Sequence, residues 1–247
     1  VLDGETVLVT LRAPGGMSTR RALRRLREAD PGGVYDFDHL HLESGVALGL
    51  TSFGQSGASG GPRVGLVDSG VGPPVRVAAQ RGFAAEEAAP GPHGTAVANL
   101  LSSAAPGARI YAADIFGGAP TGGASSALAR ALAWLATQDV AVINVSLVGP
   151  RNRVVEAVVA RLVARGFVIV AAVGNDGPAA PPLFPAAYDG VVGVTGVDAR
   201  ERVLVEAGRG AQVDFAAIGI DGSNRGTSFA SPIVAARLAV NLDAPSV

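Results

Sequence analysis

The sequence predicts an α/β fold in which a mostly parallel central sheet carries helices on both faces, preceded by a small strand–helix–strand segment. From residue 63 onward, apolar runs of strand length alternate with segments of helical periodicity. Strands that are apolar along their whole length are typical of parallel sheets covered on both sides. The Gly/Ser-rich tract GQSGASGGP has the composition of a flexible linker. We therefore expect an N-terminal segment over 1–53, a linker over 54–62 and the main domain over 63–247.

Two strands and one helix are predicted in the N-terminal segment. The stretch ETVLVTL, residues 5–11, alternates and is β-branched, which indicates a strand. STRRALRRLREA, residues 18–29, opens with a Ser/Thr cap and has apolar residues at helical spacing. VYDFDHLHLES, residues 34–44, predicts the second strand.

Strands and helices alternate along the main domain. SALARALAWLA places Leu128, Ala131, Leu132 and Leu135 on one helical face, and the helix in RNRVVEAVVARLVARG ends at a C-cap glycine, Gly166. The predicted order is strand 63–70, helix 93–104, strand 108–116, helix 126–136, strand 140–147, helix 151–166, strand 167–175, strand 191–197, a shorter strand near residue 214, and a final helix.

Composition argues against several classes of function. The net charge of −1 argues against a nucleic-acid partner, which normally requires a strongly basic surface. No run of 18 apolar residues is free of Gly, Pro and charge, so no membrane span is predicted. Because the chain has no Cys, thiol catalysis, Cys-based metal sites and disulfides are excluded.

Four polar residues stand at the ends of predicted strands or at the starts of predicted helices: Asp68 in VDSG, His93 in HGTAVA, Asn175 in VGNDG and Ser228 in GTSFASP. Each alone fits an ordinary role in a turn or a cap. Together they offer an acid, an imidazole, an amide donor and a hydroxyl at the edge of the sheet where α/β proteins bind ligands. A serine hydroxyl becomes nucleophilic when a base takes its proton, an acid orients that base and preorganised donors bind the oxyanion.

The stretch GTSFASPIVAA, residues 226–236, predicts the start of the final helix. Gly226 permits a close backbone approach, and Thr227 or Ser228 can cap free N–H groups. Pro232 is expected in the first turn, where amides have no partner within the helix. The positive end of this helix would stabilise an oxyanion at Ser228.

With these four motifs in this order, the sequence resembles the subtilisin-like serine proteases over roughly residues 63–240. The resemblance implies that Ser228 attacks the scissile carbonyl, that His93 is first base and then acid, and that Asp68 holds the imidazole. It also implies that Asn175 and the Ser228 backbone N–H bind the oxyanion.

The same resemblance implies an extended polypeptide as substrate. It would pair with the strand Ser146, Leu147, Val148 and Gly149, while Ala172, Val173 and Gly174 form the other wall of the pocket before the cut. Val148 stands where the family usually has a glycine, so we expect a preference for small or modest side chains there. The segment SSAAPG is too short for the family's calcium loop and no carboxylate cluster replaces it, so that calcium site is not predicted. No other metal and no cofactor is expected for the proposed chemistry.

Residues 1–53 resemble part of a family prodomain, which implies an intramolecular inhibitor released by cutting between about residues 43 and 62. The alternative is that this segment is a permanent part of the domain. Family habit and the absence of Cys also imply a secreted or periplasmic bacterial protein. A different reading of residues 36–43, DFDHLHLE, places His39, His41 and Glu43 on one face of a strand, where they could hold zinc.

Two other functions stay open. A latent or non-catalytic peptide-binding module could use the same fold with its catalytic residues misaligned. A lipase or esterase fits less well, because Ser228 is not in a G-x-S-x-G elbow.

Overall fold

The structure, a computed structural model, describes residues 7–45, 47, 60–119 and 122–243. The helices are α1 (Thr19–Ala29), α2 (Pro92–Ala104), α3 (Ser125–Leu135), α4 (Arg153–Ala164) and α5 (Thr227–Asp243). The strands are β1 (Leu40–Glu43), β2 (Arg63–Asp68), β3 (Ala79–Gly82), β4 (Arg109–Asp114), β5 (Gly123–Ala124), β6 (Val142–Val145), β7 (Leu147–Val148), β8 (Val168–Ala172), β9 (Val192–Val197), β10 (Phe215–Ile218), β11 (Ile220–Asp221) and β12 (Asn224–Arg225).

Seven parallel strands form the central sheet, in the order β10-β9-β8-β6-β2-β4-β3. β2 lies between β4 and β6 and is buried from Val64 to Asp68. Continuous burial of a strand means that both faces of the sheet are covered, as the apolar runs predict. The predicted fold class is confirmed.

Each face of the sheet has its own apolar core. α3 and α4 pack on one face, where Leu132 and Val159 are fully buried. α2 and α5 pack on the other, around Leu101 and Phe229. The carboxyl ends of β2, β6 and β8 therefore lie at one edge of the sheet, beside the N-termini of α2 and α5.

The N-terminal segment differs in part from the prediction. α1 forms where the periodicity places it, capped by Ser18. The strand predicted over 5–11 is absent from residues 7–11, where Val7, Val9 and Leu11 are exposed and pair with no other described strand. Residues 5 and 6, and the linker residues 54–59, lie outside the described part of the chain. Alternation of apolar residues is a weak strand signal when no neighbouring strand supplies hydrogen bonds.

The second predicted strand shortens to β1, which joins the main domain. β1 lies between β5 and β7 and is antiparallel to both, with Leu42 opposite Val148. The N-terminal segment therefore contributes a strand to a three-stranded sheet whose other two strands come from beyond residue 122. The division of the chain at residues 53 and 63 stays a prediction.

The position of Pro232 was predicted wrongly. It is the sixth residue of α5, inside the helix and beyond its first turn. A proline there leaves the carbonyl four residues earlier, that of Ser228, without its helical donor. Among the described helices, none has the length and apolar character needed to cross a bilayer.

Candidate active site

Three side chains from distant parts of the chain meet at the carboxyl edge of the sheet. Asp68 is the last residue of β2, His93 is the second residue of α2 and Ser228 is the second residue of α5. The relative exposure of the three residues is 1% or less. The fold thus brings a carboxylate, an imidazole and a hydroxyl together away from water.

The imidazole of His93 lies between the other two groups. Its Nδ1 is 2.8 Å from Asp68 Oδ1 and 3.0 Å from Oδ2, and its Nε2 is 2.9 Å from Ser228 Oγ. Because a carboxylate accepts hydrogen bonds, Nδ1 carries the proton and Nε2 is left to accept one from the Ser228 hydroxyl. The ring of Phe229 packs at 5.3 Å between centroids and fixes the other side of the imidazole.

Ser69 holds Asp68 in place. Its backbone N–H and its hydroxyl both donate to Asp68 Oδ1, at 2.7 and 3.2 Å. The same hydroxyl accepts the N–H of Gly94 at 3.0 Å, which ties the end of β2 to the first turn of α2. This residue has no distinctive signal in the sequence, and its part in the site emerges only from the fold.

The pKa of His93 is raised above its ordinary value. Burial alone lowers it, but the charge of Asp68 and its hydrogen bond act in the opposite direction, and the charge of Glu43 adds to them. The imidazole therefore takes a proton readily while it stays aimed at Ser228.

A buried hydrogen-bond network holds the backbone carbonyl of Ser228 in place. The Ser146 hydroxyl donates to the Ser228 carbonyl oxygen at 3.2 Å and contacts Ser231 Oγ at 3.1 Å. Asn144 Nδ2 in turn donates to Ser146 Oγ at 2.7 Å. The carbonyl that Pro232 leaves without a helical donor is thus satisfied by a side chain from the loop after β6.

The cleft beside Ser228 is occupied by the chain's own residues. After β1, the Ser44 N–H points to the Ser146 carbonyl at 3.5 Å, and the Ser44 carbonyl oxygen accepts the Ser228 backbone N–H at 3.1 Å. A side chain at Gly226 would meet Gly45 Cα at 2.8 Å, so this glycine gives the close backbone approach that the sequence predicts. The peptide bond between Ser44 and Gly45 therefore lies directly beside the hydroxyl of Ser228.

Asn175 lies next to this peptide bond. Its Nδ2 donates to Ser44 Oγ at 3.0 Å, and its Oδ1 accepts the Thr227 N–H at 3.0 Å, which caps the start of α5. Thr227 Oγ1 contacts Ser44 Oγ at 3.1 Å and accepts the Gly174 N–H at 3.1 Å. The amide that the sequence predicts as an oxyanion donor therefore bonds the Ser44 side chain, while the Ser228 N–H bonds the carbonyl.

The predicted substrate-binding residues line this occupied cleft from both sides. Leu147 and Val148 form β7, directly paired with β1, and Ser146 and Gly149 flank that strand. Ala172 is the last residue of β8, Val173 and Gly174 follow it, and all three are buried. A Cβ placed on Gly174 would be 2.6 Å from Leu183 Cδ1 and 3.5 Å from Val148 Cγ1. Leu183, which sequence reasoning missed, narrows the pocket together with Val148.

The proposed zinc ligands do not come together. Within the described residues, the grouped metal-type side chains are Glu43, Asp68 and His93, whose ligand atoms lie within 4.8 Å of one another. Both ring nitrogens of His93 already lie at hydrogen-bond distance from Asp68 and Ser228. His39 instead contacts Asn152 Nδ2 at 3.1 Å, and His41 is fully buried. The geometry favours proton transfer over metal binding.

Such an arrangement can activate a hydroxyl toward a carbonyl carbon. The base is oriented by a carboxylate, the hydroxyl points at the base, and a backbone N–H already binds the oxygen that would become negative. The segment in the cleft pairs with β7 in the antiparallel manner in which an extended peptide adds to the edge of a strand.

Sequence comparisons agree with this chemistry. The sequence profile of the subtilase family matches residues 80–245. Subtilisin E of Bacillus subtilis is 27% identical over 263 residues, which cover 90% of this chain and 68% of that protein. Subtilisin DY of Bacillus licheniformis is 31% identical over 173 residues, covering 61% of this chain and 63% of that protein. The minor extracellular protease Epr of Bacillus subtilis is 27% identical over 203 residues, covering 72% and 31%.

Solved structures share the fold. A cold-adapted subtilisin-like serine proteinase superposes with a TM-score of 0.66 and 24% identity, covering 74% of this chain and 75% of that one. Fervidolysin from Fervidobacterium pennivorans, a keratinolytic enzyme related to subtilisin, superposes with a TM-score of 0.64 and 23% identity, covering 73% of this chain and 36% of that one.

Proposed function

The chain belongs to the subtilase family of serine proteases, and from this premise we propose that it is an endopeptidase whose catalytic triad is Asp68, His93 and Ser228. The observation that carries the proposal is the pair of hydrogen bonds on His93, one to Asp68 and one to Ser228. The carboxylate on Nδ1 orients the imidazole, and the hydroxyl on Nε2 places it to accept a proton.

Each step of peptide hydrolysis has a residue in place. Ser228 Oγ bonds to the carbonyl carbon while its proton passes to His93 Nε2, and Asp68 stabilises the imidazolium. His93 then gives that proton to the leaving amine as the C–N bond breaks, which leaves an acyl-enzyme on Ser228. Water, deprotonated by His93, releases the acyl group and restores the hydroxyl.

The oxyanion would be held by the Ser228 N–H and by Asn175. The Ser228 N–H already donates to a carbonyl oxygen at 3.1 Å. Asn175 Nδ2 donates to the adjacent Ser44 Oγ, and we propose that it moves to the oxygen as negative charge develops there. Loss of such a donor costs about 10²–10³ in turnover, a scale measured in subtilisin itself and adopted here for Asn175.

The N-terminal segment is proposed as an intramolecular inhibitor that the enzyme cuts between Ser44 and Gly45. The support is geometric: β1 pairs with β7, and the Ser44 carbonyl accepts the Ser228 N–H. Occupation of the cleft by this segment would exclude other substrates until the bond is cut and the segment leaves.

The substrate is proposed to be an extended polypeptide with a small side chain before the cut. Ser44 fills that position in the occupied cleft, and Val148 and Leu183 both lie against Gly174 on the wall of the pocket. A profile of cleaved peptides dominated by Phe or Tyr before the cut would contradict this preference. We also propose export from a bacterial cell, because one similar protein is an extracellular protease.

Intact mass spectrometry and active-site labelling test the function together. Incubation of the chain should convert it into fragments 1–44 and 45–247, and the larger fragment should react with a fluorophosphonate probe once the smaller fragment has been removed. Ser228→Ala should abolish both the conversion and the labelling. Ser103→Ala should change neither of them, because the Ser103 hydroxyl donates only to a carbonyl within α2.

The second candidate, a latent peptide-binding module, is favoured by the same occupied cleft. If the chain stays uncut and a chain lacking residues 1–44 is not labelled, the module explains the structure better than the enzyme does.

A further inference from the structure

His41 is the most unusual side chain of the segment in the cleft. It has no exposed surface, and both of its ring nitrogens are buried without a hydrogen-bond partner. Its neighbours in β1, Leu40 and Leu42, are both about half exposed. A buried polar group without a partner is rare in native proteins and calls for an explanation.

The pocket around His41 exists because residue 149 is a glycine. A Cβ on Gly149 would lie 2.5 Å from His41 Cδ2 and 2.9 Å from both Cγ and Nε2, so the three nearest atoms all belong to this ring. The backbone at Gly149 has no left-handed φ, and alanine could adopt its conformation without strain. The space that the missing side chain leaves is therefore matched to the imidazole.

The two strands beside His41 contribute no titratable side chain that would stabilise a positive charge in the pocket. The strands on either side, β5 and β7, contain Gly123, Ala124, Leu147 and Val148, none of which titrates. Two charged groups interact electrostatically with His41: His39 opposes its protonation, and Asp38 favours it weakly. Burial is the largest cause that lowers the pKa of His41, to about 4, with only a partial offset from the Gly123 backbone.

We propose that the pocket over Gly149 is a recognition subsite for an uncharged histidine side chain, three residues before the residue that precedes the cut, and that Gly149 determines this specificity. The proposal rests on the proposed function in one respect, because it takes Ser44–Gly45 as the bond that is cut. A neutral ring fills the pocket, and a cationic side chain is disfavoured because the Gly123 backbone and the charge of Asp38 offset only part of its lost hydration. As the pH falls from about 6.5 toward about 4, protonation of His41 should favour release of the segment by about tenfold per pH unit.

A double-mutant cycle in the full chain tests the contact without needing catalysis. In a Ser228→Ala background, hydrogen exchange of the β1 amides reports how firmly the segment occupies the cleft. Gly149→Ala should reduce protection of these amides by about tenfold or more, since the new methyl group meets the ring, and it should have little effect once His41→Ala is also present. Amides of the buried strand β8 give the control for folding.

Two further substitutions test whether the pocket accepts a neutral side chain and disfavours a positively charged one. His41→Phe should keep β1 protected and remove the part of the pH dependence that comes from protonation of His41, while His41→Lys should lower the protection at every pH. Equal effects of Gly149→Ala in the presence and absence of His41→Ala, or full protection with His41→Lys, would overturn the proposal. Because exchange is measured in the inactive chain, the same cycle tests the contact between His41 and Gly149 even if the Ser44–Gly45 bond is never cut.

Discussion

At the scale of single residues, the position after the proposed cut matters as much as the positions before it. Gly45 has a φ of +150°, and a Cβ there would lie 2.5 Å from Ser228 Oγ and 2.9 Å from Phe229 Cε2. A side chain at this position would therefore push against the nucleophile as well as strain the backbone.

We expect Gly45→Ala to slow the conversion into fragments 1–44 and 45–247 by about 5- to 150-fold, because about 1–3 kcal/mol of backbone strain is added where the carbonyl must stay aligned. The rate is measured by intact mass over time. Gly15→Ala is the matched control, since a Cβ there meets nothing within 4 Å. Cleavage of Gly45→Ala at the parent rate would show that the bond after Ser44 is not the one positioned for attack by Ser228.

Substitution of Glu43 tests how nearby negative charges set the pKa of His93. Its charge contributes to the raised pKa of His93, after the larger contribution of Asp68. Since His93 must be neutral to act as a base, cleavage should be lost as the pH falls through this raised pKa. Glu43→Gln removes one negative charge, so the acid limb of the self-cleavage rate should move to lower pH. Glu28→Gln, in an exposed pair on α1, should leave the profile in place; a shift to higher pH with Glu43→Gln would contradict this account.

At the scale of elements, α5 shows how a helix can carry a proline and a nucleophile in adjacent turns. Pro232 removes the donor for the Ser228 carbonyl, and Ser146 replaces it with a hydroxyl at 3.2 Å. The loop after β6 thus holds the backbone of Ser228, while His93 contacts its hydroxyl.

Ser146→Ala should therefore lower the free energy of unfolding by about 1–3 kcal/mol, because the Ser228 carbonyl and Asn144 Nδ2 would both be left buried without a partner. Adding Pro232→Ala supplies a helical N–H to that carbonyl and should recover part of the loss. Urea denaturation in a Ser228→Ala background measures both changes without interference from self-cleavage. If Pro232→Ala is equally destabilising with and without Ser146, the proposed exchange of donors is wrong.

Much of this architecture can be predicted from the pattern of apolar residues, for a definite physical reason. Strands such as β2 and β8 are buried on both faces, so their sequences are almost wholly apolar and end at Asp68 and shortly before Asn175. The motif around Ser228 likewise marks the start of α5. The short strands β5, β7, β11 and β12 are two residues each, too short for any periodicity to appear.

What the sequence could not predict depends on contacts between distant segments. Ser69 and Leu183 belong to the site through bonds and packing that no local pattern encodes. Residues 34–44 were expected to form one long strand, but only Leu40–Glu43 does, because that is where β5 and β7 supply partners.

At the scale of the whole molecule, the N-terminal segment is attached to the main domain at the starts of two helices. Asp38 accepts the Ser126 N–H and hydroxyl, both at 2.8 Å, at the start of α3, which has no side-chain cap of its own. Asp36 accepts the Arg153 N–H at 2.8 Å at the start of α4. Carboxylates at helix N-termini satisfy free N–H groups and interact favourably with the helix dipole.

These caps lead us to expect that fragments 1–44 and 45–247 stay associated after the cut at neutral pH. Each cap is worth about 0.5–2 kcal/mol, so Asp36→Ala with Asp38→Ala should weaken the association by about tenfold or more. Native mass spectrometry of the cleaved protein over a dilution series measures the change. Asp30→Ala is the control, because its hydrogen bond to Tyr35 stays within the segment. If the double variant holds together as firmly as the parent, the β1 pairing alone retains the segment and the aspartates serve only the helices that they cap.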